Sequence, residues 1–348
     1  MHKSAYSVAV VGATGLVGTE IVTALGQRRF PIADLQLYAS IRSAGDELQC
    51  GDVRAPVELL ERARFDGTDL VFFAAGEHVS AEWIERATAA GAVVIDISPL
   101  CAADPDVPLV VPEVNAAELS GYTTRGIVAS PDAPAIALAV ALKPLADAAG
   151  LVRVVCSTFE PVCGAGRRGI EELQRQTIEL MNGRSTNNEV FPHRIAFNIL
   201  PHVGEFLAGG FARGEVHIVT GVRRLLADPA LPVSVTCTRL PVFYGEALAV
   251  NVETARKLTA TEARNILRVA PGVLLQDDLE TGSYPTAADA VGQDATLVGR
   301  IREDESLNVL DFWLALDTLR KGAAVNAVQI AEVLIREYLS GKSIVDSQ

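Results

Sequence analysis

The run Ser7-Val8-Ala9-Val10-Val11 leads directly into Gly12-Ala13-Thr14-Gly15-Leu16-Val17-Gly18. A continuous apolar run of this kind reads as a strand buried on both faces, as in parallel sheets. Gly12 permits a tight turn from strand to helix, Gly15 lets the backbone approach a pyrophosphate, and Gly18 allows close packing of helix on strand. The helix N-terminus then presents N–H groups and a positive dipole end to phosphates. Helical spacing follows over Thr19 to Gln27 (Ile21, Val22, Leu25), then a second apolar strand over Leu35 to Ala39. Together these form a βαβ unit whose turn has GxxGxxG spacing, a variant of the dinucleotide fingerprint. The competing reading is an ordinary βα turn that uses glycine for geometry alone.

The alternation continues. Leu70 to Ala74 and Ala92 to Asp96 read as strands, with a helix from Ser80 to Ala90 between them and Ser80 as its N-cap. The pattern predicts a doubly wound, mostly parallel sheet. It changes after about residue 130. Ala135 to Ala149 is predicted as a helix, Leu151 to Phe159 as a strand, and Ile170 to Met181 as an amphipathic helix. Val233 to Thr238, Ala247 to Glu253, Ala295 to Arg302 and Leu307 to Asp317 are strand-like, several with period-two alternation. Strands with few crossover helices predict an α+β second domain with an antiparallel or mixed sheet. The last helix, Ala323 to Leu339, is expected to return to the first domain. The polar stretch Asn182 to Glu189 is the expected mobile loop. The boundaries that follow are 1–130, 131–318 and 319–348.

Charge and cysteines narrow the function. The formal net charge of −13 argues against nucleic acid, which selects a positive footprint. No polybasic stretch suggests an anionic membrane, and no apolar run of about 18 residues suggests a spanning helix. Met1 to Tyr6 lead directly into the strand-like run, which is too short and has the wrong flanks for a signal peptide. Cys50, Cys101, Cys156, Cys163 and Cys237 are odd in number and irregular in spacing, which fits reduced thiols in a cytoplasmic protein. With the histidines scattered, no metal site is expected.

The tip of the second strand bears on the cofactor. It ends Ala39-Ser40-Ile41-Arg42-Ser43-Ala44-Gly45, without the acid that an NAD site places against the ribose hydroxyls. A guanidinium and a hydroxyl, Arg42 and Ser43, suit a 2′-phosphate and favour NADP. Otherwise Arg42 is simply a solvent-exposed loop residue.

Several collinear segments resemble the aspartate-semialdehyde dehydrogenase family across nearly the whole chain. They are Gly12-Ala13-Thr14-Gly15, Arg42-Ser43-Ala44-Gly45, Asp106 to Asn115, Gly164-Ala165-Gly166, Phe191 to Asn198, Arg239-Leu240-Pro241-Val242 and Arg320-Lys321-Gly322-Ala323-Ala324. The resemblance implies an α/β fold with a Rossmann-type doubly wound parallel sheet plus an α+β catalytic and dimerisation domain. It further implies NADP, amino-acid biosynthesis, a small-molecule substrate and a homodimer paired through the second domain's sheet. Cofactor contacts are expected at Gly12, Thr14, Gly15, Leu16, Val17, Gly18, Arg42, Ser43, Cys163, Gly164 and Asn326. The family reduces aspartyl phosphate to the semialdehyde: a cysteine thiolate expels phosphate, a histidine is the acid–base, and a glutamine orients the intermediate.

The chemistry positions depart from that pattern. A segment like Asn-Pro-Asn-Cys-Ser-Thr becomes Ser130-Pro131-Asp132-Ala133-Pro134-Ala135, so the nucleophile is Ala133. Ser-Thr-Tyr-Gln becomes Ser157-Thr158-Phe159-Glu160, and the histidine position after Gly245 holds Glu246. Ala102 stands for a phosphate-binding arginine. Glu-Glu-x-Lys corresponds to Gly214-Glu215-Val216-His217, where His217 keeps part of the lysine's positive role. Arg239, the expected partner of a substrate carboxylate, persists. Alanine cannot form a thioester, so the parent reaction is expected to be lost or greatly weakened. If Glu160 and Glu246 lie close, one should have a raised pKa. Cys163, at a helix N-terminus near Arg167 and Arg168, is an alternative thiol whose pKa that setting would lower. His193 and His202 are read as structural or interfacial, not catalytic. Three functions stay open: an NADP-binding regulatory paralogue, an NADPH-dependent carbonyl oxidoreductase of altered chemistry, or an active dehydrogenase using Cys163.

Overall fold

The computed structural model describes residues 3–278, 280–306 and 308–339. The chain divides into two compact units, one of residues up to Pro131 and from Ala323 onward, the other Asp132–Gly322. Met1, His2, Leu307 and residues 340–348, which the sequence places in the opening segment, a strand and the C-terminal segment, lie outside the described residues.

The first unit is built on β1 (Tyr6–Val11), α1 (Leu16–Gln27), β2 (Ile32–Ala39), β3 (Glu47–Cys50), β4 (Val53–Leu59), β5 (Leu70–Phe73), α2 (Glu77–Ala89), β6 (Val93–Asp96), the short α3 (Pro112–Asn115) and β7 (Ile127–Ala129). Its sheet runs β3-β4-β2-β1-β5-β6-β7 and is parallel apart from the β3–β4 hairpin at its edge. Strand order reverses beside β1, which puts the glycine turn at the switch point where open α/β sheets bind ligands. The apolar runs are interior strands: Val8, Leu70 and Phe72 are fully buried. Ser80 does not cap α2. The helix begins at Glu77, and Ser80, buried in its first turns, donates to Asp96 Oδ1 at 3.0 Å.

The second unit carries α4 (Ala133–Ala149), β8 (Leu151–Glu160), α5 (Gly166–Met181), α6 (Arg213–Leu225), β9 (Val233–Arg239), β10 (Glu246–Thr254), α7 (Ala260–Arg268), β11 (Val273–Leu275), α8 (Ala287–Ala290), β12 (Thr296–Glu303) and β13 (Val309–Leu316). Its mixed sheet has the order β11-β12-β13-β10-β8-β9. Period-two alternation gives the sheet two faces. Val154, Cys156 and Thr158 of β8 are buried, as are Leu248, Val250 and Val252 of β10. The residues between them, such as Val155, Phe159, Ala249 and Trp313, line a groove of about 860 Å³ on the other face. The loop 182–189 is tied to α5 by two buried polar side chains: Gln176 Nε2 donates to Asn187 O at 3.1 Å, and Glu172 accepts from Glu189 N. The expectation of a loose loop overlooked these anchors, which come from a helix face read as merely amphipathic.

The chain ends within the first unit as α9 (Val325–Val333), which joins that unit's core through Val325, Val328 and Ile330. Arg28 pairs with Glu332 at 2.7 Å.

Candidate functional site

In the first unit the turn after β1 is shaped by close approach. Gly12 adopts φ +84°, and a Cβ there would lie 2.7 Å from Ala74 O. A Cβ on Gly18 would lie 2.1 Å from Gly12 O, so α1 rests directly on the turn. Gly12 and Ala13 donate backbone N–H groups to Tyr38 O. Gly15 is the N-cap of α1; no side chain caps this end, and its first turn has no acid. The first turn of α1 thus presents its backbone N–H end without a side-chain cap or an acid beside it, which fits a pyrophosphate. Thr14, Gly15, Leu16 and Val17 line this turn, half-buried. Arg42 is exposed and Ser43 half-buried in the turn after β2. Asn326, fully buried, donates to Val110 O at 3.1 Å and Ser130 Oγ at 2.8 Å. Its Oδ1 is sealed from solvent without a hydrogen-bond partner. An orphan acceptor of this kind fits a carboxamide donor such as that of a nicotinamide.

In the second unit the strand registers gather the altered positions. Parallel pairing sets Glu160, the last residue of β8, opposite Arg239, the last of β9. Antiparallel pairing sets Ala247 opposite Phe159, so one further step brings Glu246 beside Glu160. Glu160, Arg239 and Glu246 all fall on the buried parity of their strands. Gly245 delivers Glu246 from a left-handed turn at φ +78°, where a Cβ would lie 2.0 Å from Ala287 O.

Glu160 is held on both sides. Thr158 Oγ1 donates to its Oε1 at 2.9 Å, and Arg239 Nη2 stands 3.6 Å from its Oε2. Arg239 also donates through Nη1 to Pro161 O at 2.5 Å. Burial raises the pKa of Glu160, opposed by Arg239 and Thr158. Glu246 is 1% exposed, and its Oε1 has no partner. Burial first, and then the charge of Glu160, push its pKa well above the ordinary carboxyl range. Two carboxyl groups against one guanidinium cannot both ionise cheaply, which favours the protonated form of one of them.

Ala133 opens α4 and is 7% exposed. Asp132, the N-cap residue, approaches His217 of α6, with Oδ2 and Nδ1 3.4 Å apart. Glu215 is spent on the backbone: it accepts from Ala212 N at 2.8 Å and Cys237 N at 3.3 Å.

Cys163 corrects an expectation. It is 3% exposed, and its thiol is pushed up to about 12, chiefly by burial and then by Glu246. Arg167 and Arg168 are exposed and do not offset that burial. Cys101, Cys156 and Cys237 are raised as well, in each case first by burial. Gly164 lies against Arg239: a Cβ there would come 2.5 Å from Nη1. His202 stacks on Phe206 at 4.7 Å, and His193 is exposed. Among the described residues no group of side chains is arranged to hold a metal ion, and no helix is long and apolar enough to cross a membrane.

Residues 7–122 match the family model described as semialdehyde dehydrogenase, NAD binding domain, and residues 142–321 that described as semialdehyde dehydrogenase, dimerisation domain. An aspartate-semialdehyde dehydrogenase of Aquifex aeolicus is 43% identical over 337 residues, 96% of this chain and 99% of its own. One of Legionella pneumophila is 44% identical over 335 residues, 96% of each chain. Among solved structures, aspartate semialdehyde dehydrogenase II from Vibrio cholerae, complexed with ASA, is similar with a TM-score of 0.94 at 39% identity, over 97% of this chain and 100% of that one. A probable aspartate-semialdehyde dehydrogenase from Pseudomonas aeruginosa gives 0.91 at 37% identity, over 96% and 99%.

Proposed function

The chain belongs to the aspartate-semialdehyde dehydrogenase family, and from that premise we propose that it is an NADP-binding member that has lost the family's thioester reaction. The observation that carries this is Ala133 at the first turn of α4, with Glu160 and Glu246 at the positions where the family's glutamine and histidine are expected. A methyl group cannot attack an acyl phosphate, and covalent catalysis loses its route without a nucleophile. Cys163 is a poor substitute, since a thiol raised to about 12 carries almost no thiolate at neutral pH.

What remains suits direct carbonyl reduction. A bound nicotinamide supplies hydride. Glu246, neutral through burial, is the proton donor in this reading, and Glu160 with Arg239 keeps its surroundings fixed. The turn shaped by Gly12, Gly15 and Gly18 presents the start of α1 to the pyrophosphate, Arg42 and Ser43 take the 2′-phosphate, and Asn326 the carboxamide. A second reading, a non-catalytic regulatory paralogue, is favoured by the Arg239–Glu160 pairing, which neutralises the guanidinium that would hold a substrate carboxylate. We also infer a homodimer, in which a second copy covers the groove beside Phe159 and Trp313.

The test is NADPH oxidation with aspartyl phosphate, and NADP reduction with the semialdehyde and phosphate, beside calorimetry of NADP binding. Binding without turnover supports the proposal. Turnover with aspartyl phosphate overturns it.

A further inference from the structure

The first unit has a pocket of about 650 Å³ lined by the segment that joins β4 to β5 and by α2. That segment enters β5, at the N-terminal ends of the parallel strands, whereas the glycine turn leaves β1 at their C-terminal ends. The pocket therefore lies at the opposite edge of the sheet from the dinucleotide turn. Phe65 fixes the segment. It is 4% exposed and meets the Tyr38 ring edge-on, with centroids 5.9 Å apart, and the Tyr38 hydroxyl donates to Arg64 O at 3.5 Å. Thr68 N donates to Phe65 O at 3.0 Å and closes the turn. The pocket wall is thus held before any ligand arrives, which lowers the ordering cost of binding.

Three guanidinium groups line it: Arg62 and Arg64 from the segment, and Arg86 from the last turn of α2. Arg86 lies over the Trp83 ring, 4.2 Å from its centroid, and Trp83 is almost fully buried, so the arginine rests on a rigid seat. Arg62 and Arg64 are exposed, and among the described residues neither is held in an ion pair. Opposing charge is present but loosely committed. Glu61 and Asp66 also line the pocket and are exposed, and Glu82 stands 3.7 Å from Arg86 in an exposed pair. Exposed pairs of this kind hold little free energy and yield to a more concentrated negative charge. Guanidinium forks match phosphate oxygens two at a time, and three of them exceed what one phosphate needs. The volume suits a small molecule.

We propose that this pocket is a second anion site on the nucleotide domain, taking a small molecule that carries a diphosphate, with Arg62, Arg64 and Arg86 as its partners. The proposal goes beyond the function argued above and holds whatever the second unit catalyses. The experiment is calorimetry of the intact protein with inorganic pyrophosphate and with ADP, at low and high salt, repeated on the double variant Arg62→Ala/Arg64→Ala. Both replaced side chains are exposed, so the variant should melt with wild type in the absence of ligand. Wild type should bind at least one probe, more weakly as salt rises, and the double variant should bind it about tenfold or more less tightly. Loss of the pyrophosphate signal alone assigns the site to a free diphosphate, and loss of the ADP signal to a nucleoside diphosphate. Equal affinity in the two proteins would place the probe elsewhere, as at the glycine turn, and overturns the proposal. So does absence of binding of both probes to wild type.

Discussion

Arg239 Nη2 lies 3.6 Å from Glu160 Oε2, both side chains almost fully enclosed, because the two residues end neighbouring parallel strands in register. The arginine's charge is therefore met from within the chain. Breaking such a pair by removing one partner strands the other charge, which costs about 3–5 kcal/mol. Arg239→Leu should lower the melting temperature sharply, whereas Glu160→Gln, which keeps the shape, should lower it less. A thermal melt of both variants checks this, and melting temperatures unchanged from wild type would refute the pairing as a structural element.

Restoring the thiol alone should not restore the family reaction. Ala133→Cys places sulfur at the start of α4, next to Asp132, whose charge is felt by Glu160 and Glu246, and negative charge nearby raises a thiol pKa. Ala133→Cys combined with Glu160→Gln and Glu246→His should exceed the single variant by about 10²-fold or more in NADPH-linked reduction of aspartyl phosphate, the usual contribution of a general acid–base. Equal rates in the two proteins would show that the carboxyl pair is not what blocks the reaction.

Glu246 should also shape the pH dependence of stability. Its pKa in the folded chain is raised above the ordinary 4.5, by burial and then by Glu160. The folded state thus holds the proton more tightly than the unfolded state. Stability from this group is complete below about pH 4.5 and is lost as pH rises toward the folded value. Glu246→Gln should therefore melt higher than wild type at pH 8, with the gap closing toward pH 4.5. A gap that widens on acidification would mean the carboxylate is stabilised, not destabilised, by the fold.

Much of the architecture was legible because its signals are local. The apolar run before Gly12, the glycine spacing after it, and the period-two strands of the second unit fix where chain segments lie before any contact is known. What escaped depends on distant partners. Glu47–Cys50 and Val53–Leu59 form an edge hairpin with solvent on much of its surface, so no apolar run announces it. Ser80 resembles a helix cap until Asp96, sixteen residues on, takes its hydroxyl. For Cys163, nearby arginines pointed to a lowered thiol pKa, and burial dominates instead. No sequence pattern brings Asp132 to His217, because that meeting depends on how α6 sits beside the start of α4.

Thiol chemistry gives a simple check on the same point. All five cysteines are buried and unpaired. At pH 7.5 iodoacetamide should label the native protein slowly and the protein in guanidinium quickly, counted by mass. Rapid labelling of Cys163 in the native protein would return it to consideration as a nucleophile.

Arg42 should separate the two nicotinamide cofactors. Arg42→Ala should weaken NADPH by about tenfold or more, the loss of one charge-assisted contact, and leave NADH unchanged. Equal weakening of both would place Arg42 away from the 2′-phosphate.

Gly245 and the carbonyl of Ala287 fit so tightly that no side chain can enter between them, and the first residue of β10 cannot slide along the sheet. The backbone therefore works as a fixed socket into which position 246 is plugged. Whichever residue evolution installs there arrives at the same coordinates, next to the end of β8. A scaffold of this kind can exchange its reactive groups one at a time while its architecture stays still.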